Sequence, residues 1–247
     1  MTTANTTRFN AEALSWDTNP SVQLATALAH KAYLARLPPP PTLSTYNVLD
    51  LGCGTGLLSL ALAPSVRSVT AVDAAEGMIA ALESKLSSSS PDNNTAGTVK
   101  NVRAVHALLT DPSDPCLATD PVTGHPQQGR RFDLVVSHLV LHHIPSLLPL
   151  FQTIHGCLAP GGRVMVTDFE DFGPDARKFH PEGKMDGVER HGVERGAMRA
   201  LLEGAGFVDV KVETAFEMAK QVETEPGSGV VGPVVVFPFL ICEGRRV

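Results

Sequence analysis

The chain has 247 residues, of which 43% are hydrophobic, and its formal net charge is −6. This length suits one α/β domain with a sizeable core, and a negative charge without a Lys/Arg block disfavours nucleic acid as a partner. The four cysteines are well separated, which disfavours a disulfide framework and a zinc site. The polar start disfavours a signal peptide, and the lack of an apolar run of about 18 residues disfavours a membrane span. We therefore expect a cytoplasmic protein, a nuclear location being the alternative.

The N-terminal segment, residues 1–41, is predicted to be a helical lid with a proline linker, ahead of a main domain at residues 42–247. Residues 1–9 are expected to be loosely ordered. Asn19 and Pro20 are good first residues for a helix that continues to about Arg36. Trp16 is the only tryptophan, and it either covers a bound ligand or packs the helix onto the core.

A glycine-rich turn follows the first buried strand. Val48–Leu51 reads as the end of the strand, Gly52, Gly54 and Gly56 form the turn, and Leu57–Ala63 reads as a helix. This order is typical of a nucleotide-type site at the carboxyl edge of a parallel sheet, where glycine lets the backbone approach a ligand. The G-x-G-x-G spacing differs from dinucleotide sites, and no Lys follows it as in a P-loop, so we expect a nucleoside without a polyphosphate. The alternative is an unrelated strand, turn and helix.

The stretch Val48–Gly56 resembles the first motif of class I S-adenosylmethionine-dependent methyltransferases. The resemblance implies that the cofactor contacts this turn, at Asp50, Gly52, Cys53, Gly54 and Gly56. It also implies that the helix before the first strand, with Trp16, covers the cofactor.

The second strand, Ser68–Asp73, ends in an acid. An acid at this position can accept hydrogen bonds from both hydroxyls of a ribose. The alternative for Asp73 is the cap of a helix that begins at Ala74. The segment Val72–Met78 resembles the second motif of the family, which implies cofactor contacts at Ala74 and at Met78, beside the adenine.

The third strand is expected at Val99–Val105, after a low-complexity loop at Ser87–Thr98. The family usually has an aspartate just after this strand, which contacts the adenine amino group. The present chain has no carboxylate there before Asp111, so either backbone groups of Ala107 and Leu108 or Asp111 itself would take this role.

The fourth strand, Phe132–Ser137, leads into the segment His138–Ile144, which resembles the fourth motif of the family. Ser137 and His138 are expected to line the pocket. His142 and His143 are candidates for a general base, or for structural roles. Because adjacent residues on a helix point about 100° apart, we expect no metal ion between them.

After a helix at Ser146–Leu158 and a Leu-x-Pro-Gly-Gly turn that is another feature of the family, the fifth strand ends near Asp168. The long charged loop at residues 168–196 leaves the same sheet edge and is expected to shape the acceptor pocket. His180 and His191 resemble histidines of a small-molecule-type methyltransferase subgroup and are candidate substrate contacts. A solvated charged loop is the alternative.

The remaining predicted elements are a helix at Val193–Glu203 and strands at Val208–Glu213 and Val234–Cys242, with a bulge at Pro238. The resemblance implies a Rossmann-like, three-layer α/β/α fold with a seven-stranded, mostly parallel sheet, an antiparallel last strand and helices on both faces. It implies methyl transfer from S-adenosylmethionine to a small-molecule acceptor, giving S-adenosylhomocysteine. The alternatives are a cofactor-binding adaptor without turnover and a NAD-dependent dehydrogenase, which the glycine spacing disfavours. The acceptor and the oligomeric state are left open.

Overall fold

A computed structural model describes residues 3–88 and 99–247. One sheet runs through the molecule, and its strands are β1 (Asn47–Leu51), β2 (Ser68–Asp73), β3 (Val102–His106), β4 (Phe132–His138), β5 (Leu158–Phe169), β6 (Val208–Glu223) and β7 (Val231–Arg245). The α-helices are α1 (Thr3–Trp16), α2 (Pro20–Leu34), α3 (Leu57–Leu62), α4 (Glu76–Ser87), α5 (Leu147–Cys157) and α6 (Arg195–Gly204). None of the helices in these ranges is long and apolar enough to cross a membrane.

The strands lie in the order β3-β2-β1-β4-β5-β7-β6. The first five are parallel to one another, whereas β7 is inserted between β5 and β6 and is antiparallel to both. The predicted fold class is thereby confirmed. In register, Leu51 lies beside Val72 and Asp50 beside Val136. The glycine turn after β1, the acid that ends β2 and the histidine that ends β4 therefore meet at one sheet edge.

The sheet has an apolar layer on each face. All six residues of β2 are buried, as expected for a parallel strand that is covered on both sides. One layer packs α5 and α6 against the sheet, with Phe151 and Leu202 fully buried. The other layer includes α2, α3 and α4, with Tyr33 and Leu62 fully buried.

The expectation of a loose N-terminus was wrong, because α1 begins at Thr3. Phe9 and Ala13 are buried against Met78 of α4. The Asn10 side chain also accepts a hydrogen bond from the backbone N–H of Gly77, at 2.8 Å. The helix has a weak sequence signal because its apolar residues are few, and it is stabilised by these long-range contacts. Most of the predicted loop at Ser87–Thr98 lies outside the described residues.

The last two strands extend well beyond their predicted bounds, and β6 runs to Glu223. The bulge expected at Pro238 was wrong: Pro238 pairs with Glu217, and the nearest irregularity lies in β6, between Thr214 and Phe216. β5 pairs with β7 only as far as Phe239. The Pro238 carbonyl accepts a hydrogen bond from the N–H of Glu170, at 2.8 Å, so Pro238 lies at the end of this ladder and contributes only its carbonyl.

Candidate active site

A cavity of about 260 Å³ opens at the sheet edge where β1, β2 and β4 end. Its wall combines the glycine turn, α1, the residues after β4, and a segment after β5 that contains 3₁₀ turns at Pro174–Phe179 and Glu182–Lys184. The predicted site residues that line it are Trp16, Asp50, Gly52, Cys53, Gly54, Asp73, Met78, His138, His142, His143 and His180.

The three glycines of the turn all have positive φ, between +54° and +82°, so each favours glycine. They differ in what surrounds them. A Cβ at Gly52 would lie 2.5 Å from Cγ2 of Val140, and one at Gly56 would lie 2.4 Å from Cδ1 of Leu82. A Cβ at Gly54 would meet only Sδ of Met78, at 4.0 Å, on the cavity wall. Gly54 thus keeps the floor of the cavity open, and Gly56 shapes the helix packing behind it.

Two buried carboxylates lie at this end of the cavity. Asp73 accepts hydrogen bonds from the backbone N–H of Gly54, at 2.9 Å, and of Ala75, at 2.8 Å. Asp50 accepts one from Oγ of Ser59, at 2.6 Å. Burial raises the pKa of Asp50 to about 7, and burial also raises the pKa of Asp73 despite its backbone donors. Each Asp73 oxygen has a further lone pair, which suits a diol.

Helix α1 forms the outer wall of the cavity, through Arg8, Phe9, Glu12 and Trp16. Trp16 lines the cavity and also packs edge-on against Phe9, with ring centroids 5.8 Å apart. The packing role is thus observed, and the cover over a bound ligand stays a prediction. Asp17, just after the helix, accepts a hydrogen bond from the Thr55 hydroxyl and pairs with Lys85. These contacts fasten the end of α1 over the glycine turn.

His138 has a defined tautomer because of a buried hydrogen-bond chain. The Tyr33 hydroxyl donates its single proton to the Ser137 carbonyl, at 2.8 Å. The contact between Tyr33 and the Thr167 hydroxyl, also 2.8 Å, must then use the Thr167 proton. Nδ1 of His138, 2.8 Å from the same Thr167 oxygen, is therefore the donor.

The tautomer leaves Nε2 of His138 with a lone pair. Within residues 3–88 and 99–247 this buried atom has no hydrogen-bond partner, and His138 lines the cavity. Burial lowers the pKa of His138 to about 4, so the ring is neutral near pH 7. It can accept a hydrogen bond from a ligand, but it is a weak base.

Three further histidines gather at the other end of the cavity. The rings of His142 and His143 are 3.9 Å apart, and those of His142 and His180 are 4.9 Å apart. The expectation that His142 and His143 would diverge was wrong, because Asp168 and the Gly187 carbonyl each hold one of the two rings and bring them together on the 3₁₀ turn Leu141–His143. Burial lowers the pKa of His143 to about 3 and that of His180 further.

Six predicted site residues do not line the cavity: Gly56, Ala74, Ala107, Leu108, Ser137 and His191. Several of them make hydrogen bonds within the sheet or face solvent. The Ala107 N–H donates to the Asp73 carbonyl, the Ser137 hydroxyl donates to the Leu51 carbonyl, and Leu108 is 56% exposed. Asp111 accepts from the Ser113 N–H and also lies outside the lining. The adenine contact stays a prediction at these positions.

Sequence reasoning did not find several lining residues that come from distant parts of the chain. These are Arg8, Phe9, Glu12, Leu139, Val140, Phe179, Lys184, Met218 and Lys220, among others. Apart from Leu139 and Val140, which lie in the segment His138–Ile144, no local motif marks them. Leu139 has a φ of +58°, a strained conformation for a branched residue that is held here at the cavity wall.

The site fits S-adenosylmethionine. Gly54 leaves room for a ligand beside the backbone, Asp73 presents lone pairs suited to a ribose, and Nε2 of His138 is a buried acceptor that the described residues leave unpaired. An adenosyl amino acid has hydroxyl and amino donors for such acceptors.

Comparison with known proteins agrees with this geometry. The uncharacterized methyltransferase Rv0089 of Mycobacterium tuberculosis is 32% identical over 127 residues, which is 51% of this chain and 52% of that protein. A ubiquinone biosynthesis O-methyltransferase of Idiomarina loihiensis is 30% identical, over 49% of this chain and 41% of that protein. The chain thus spans about half the length of the curated relatives it matches, or less.

The fold is shared with solved structures. A SAM-dependent methyltransferase from Aquifex aeolicus superposes with a TM-score of 0.59 at 16% identity, covering 96% of this chain and 98% of that one. The family model of Methyltransf_23, a methyltransferase domain, matches residues 23–212. The chain therefore belongs to this methyltransferase family, with the fold of a class I S-adenosylmethionine-dependent methyltransferase.

Proposed function

We propose that this protein transfers the methyl group of S-adenosylmethionine to a small-molecule acceptor. The observation that carries the proposal is one cavity that joins the glycine turn and Asp73 to the histidine-lined end, beneath α1. Phe9 and Trp16 of α1 also line this cavity, so α1 forms part of its wall. Such a wall favours an acceptor small enough to fit entirely inside the cavity.

The cofactor would be held at the β1–β2 edge. Asp73 would accept hydrogen bonds from the ribose hydroxyls, Met78 would contact the adenine, and the backbone of Gly52 and Gly54 would accommodate the methionine part. When bound, the cofactor supplies an electrophilic methyl group. Trp16 would exclude water from the sulfonium side, where charge is lost in the transition state.

His138 would orient the acceptor. Its Nε2 is a fixed hydrogen-bond acceptor and therefore suits the O–H, N–H or S–H of an incoming nucleophile. Because the pKa of His138 is about 4, we infer orientation rather than full deprotonation. Positioning alone can supply up to about 7–11 kcal/mol of the rate enhancement. His142, His143 and His180 would shape the far end of the acceptor pocket, and His191, outside the cavity wall, would act only indirectly.

Some relatives support a small acceptor by name, including the ubiquinone biosynthesis O-methyltransferase and a phosphoethanolamine N-methyltransferase of Triticum aestivum. The latter aligns over only 33% of this chain. We also expect a cytoplasmic or nuclear location, where the four free cysteines would stay reduced.

Calorimetric titration with S-adenosylhomocysteine tests the cofactor site. The wild type should bind with one site per chain, Asp73→Ala should weaken binding at least tenfold, and the exposed control Asp175→Ala should bind as the wild type does. Equal binding by wild type and Asp73→Ala would overturn the assignment of Asp73.

An acceptor screen that follows S-adenosylhomocysteine release tests the reaction. Small phenols, thiols and amines should give turnover, and His138→Ala should lower kcat/KM for the active acceptor. Turnover only with protein or RNA would overturn the small-acceptor proposal. Cofactor binding without turnover on any class would instead identify an adaptor.

A further inference from the structure

The histidine cluster His142, His143 and His180 has the composition of a metal site. One ring nitrogen from each residue can be chosen so that the three atoms all lie within 4.8 Å of one another. His142 and His143 are buried and His180 is half-buried, and all three line the cavity. Three imidazoles with an open fourth direction are a ligand set of catalytic zinc sites.

The groups behind these rings orient them as metal ligands. Nδ1 of His142 lies 2.9 Å from both carboxylate oxygens of the buried Asp168, so this nitrogen is the donor. Nδ1 of His143 lies 2.9 Å from the carbonyl oxygen of Gly187 and likewise donates. In both rings the lone pair is then on Nε2. Metal-binding histidines almost always donate their other N–H to a carboxylate or a backbone carbonyl.

Aromatic rings pack against the histidine cluster. The Phe169 ring lies 5.1 Å from that of His142, and the Phe179 ring lies 5.1 Å from that of His180. The Asp168 carboxylate supplies a negative charge directly behind the cluster. The cationic side chains of Arg8 and Lys220 also line the cavity, so the ion would depend on Asp168 for its charge balance.

We propose that His142, His143 and His180 bind one divalent transition-metal ion of the Zn²⁺ type, with its fourth position open to the cavity. Imidazole ligands select Zn²⁺, Cu²⁺, Ni²⁺ or Fe²⁺ over Mg²⁺ or Ca²⁺. Zn–N bonds of about 2.0–2.1 Å at tetrahedral angles place nitrogens about 3.4 Å apart. The nitrogens, which lie within 4.8 Å of one another, would have to approach by up to about 1.4 Å to reach this spacing.

The role of this ion rests on the proposed function, because an ion here would orient an oxygen or sulfur atom of the methyl acceptor. Binding of the ion itself needs neither cofactor nor acceptor. Its presence can therefore be tested on the full chain alone.

The test is titration of the metal-free, untagged protein with Zn²⁺ alone, and with Co²⁺ while the visible absorption is recorded. We expect one ion per chain and the intense absorption of four-coordinate Co²⁺. His180→Ala should weaken binding at least tenfold. The matched control His155→Ala, which removes a histidine packed on Phe207 outside the cavity, should bind as the wild type does.

A second variant acts through the group behind the ligand. Asp168→Asn should weaken metal binding about 10–100-fold, as removal of such partners does in known sites. If Asp168→Asn fails to fold, His180→Ala still decides, since His180 lies in the half-buried segment after β5. S-adenosylhomocysteine binding, measured on every sample, reports separately on the proposed function.

Unchanged Zn²⁺ binding in His180→Ala, or no binding by the wild type while S-adenosylhomocysteine still binds, would overturn the metal site alone. Absence of S-adenosylhomocysteine binding by the wild type would instead contradict the cofactor assignment. The Zn²⁺ titration would still decide whether the metal site exists.

Discussion

The buried carboxyl of Asp50 makes stability depend on pH in a way that a single substitution isolates. Asp50 is 1% exposed, and burial raises its pKa from the ordinary value of 3.8 to about 7. A raised folded-state pKa means that the folded protein holds the proton more tightly than the unfolded chain. The stabilisation is complete below pH about 4 and is lost as the pH rises through about 7.

The magnitude follows from the same pKa values. A pKa of about 7 instead of 3.8 corresponds to about 4 kcal/mol of unfolding free energy. Between pH 5 and pH 8 the part that is lost is about 2–3 kcal/mol. Asp50→Asn keeps an acceptor for the Ser59 hydroxyl and removes the titration. The wild type should therefore lose about this amount relative to Asp50→Asn over this range.

Urea denaturation at four pH values between 5 and 8 measures the difference between the two proteins. Other groups, including Asp73, are present in both and largely cancel. Asp120→Asn is the matched control, since Asp120 is fully buried. Although burial opposes it, the hydrogen bond from Arg67 holds the Asp120 pKa at about 2, so the effect of Asp120→Asn should not change over this range. A constant difference between wild type and Asp50→Asn would refute the reasoning.

Three further predictions concern the glycine turn, the buried chain and the lid. Gly52→Ala places a Cβ 2.5 Å from Val140 at a φ of +73°. It should therefore lower the urea midpoint more than Gly161→Ala, because Gly161 has a similar φ but open space around it. Equal midpoints would contradict a packing role for Gly52. Tyr33→Phe leaves the proton of the buried Thr167 hydroxyl without its acceptor and should cost about 1–3 kcal/mol of unfolding free energy, measured by urea denaturation. An unchanged value would contradict the assigned chain. Asp17→Ala releases the end of α1 and should raise the S-adenosylhomocysteine dissociation rate several-fold in stopped-flow measurements, whereas an unchanged rate would argue against a lid.

The cofactor end of the site was predictable because its signals are local. A buried run, three glycines and a helix are contiguous in sequence, and backbone conformation and periodicity depend on near neighbours. The position of Asp73 beside Gly54 also followed, because consecutive parallel strands place their carboxyl ends at one edge.

The acceptor end was not predictable in the same way. The His142 and His143 rings converge because each is held by a partner remote in sequence, the Asp168 carboxylate and the Gly187 carbonyl. His180 joins them from a segment with no regular period. The tautomer of His138 depends on Tyr33 and Thr167, which are far from each other in sequence.

By itself the sequence determined the order of strands and helices from Pro20 onward, the glycine turn and the two acids beside it. Only the tertiary structure decided that α1 lines the cavity, that Pro238 lies at the end of the β5 ladder and that three histidines share one pocket. The physical reason is that local patterns set the backbone of each element, whereas side chains remote in sequence come together only when long-range packing fixes where the elements lie.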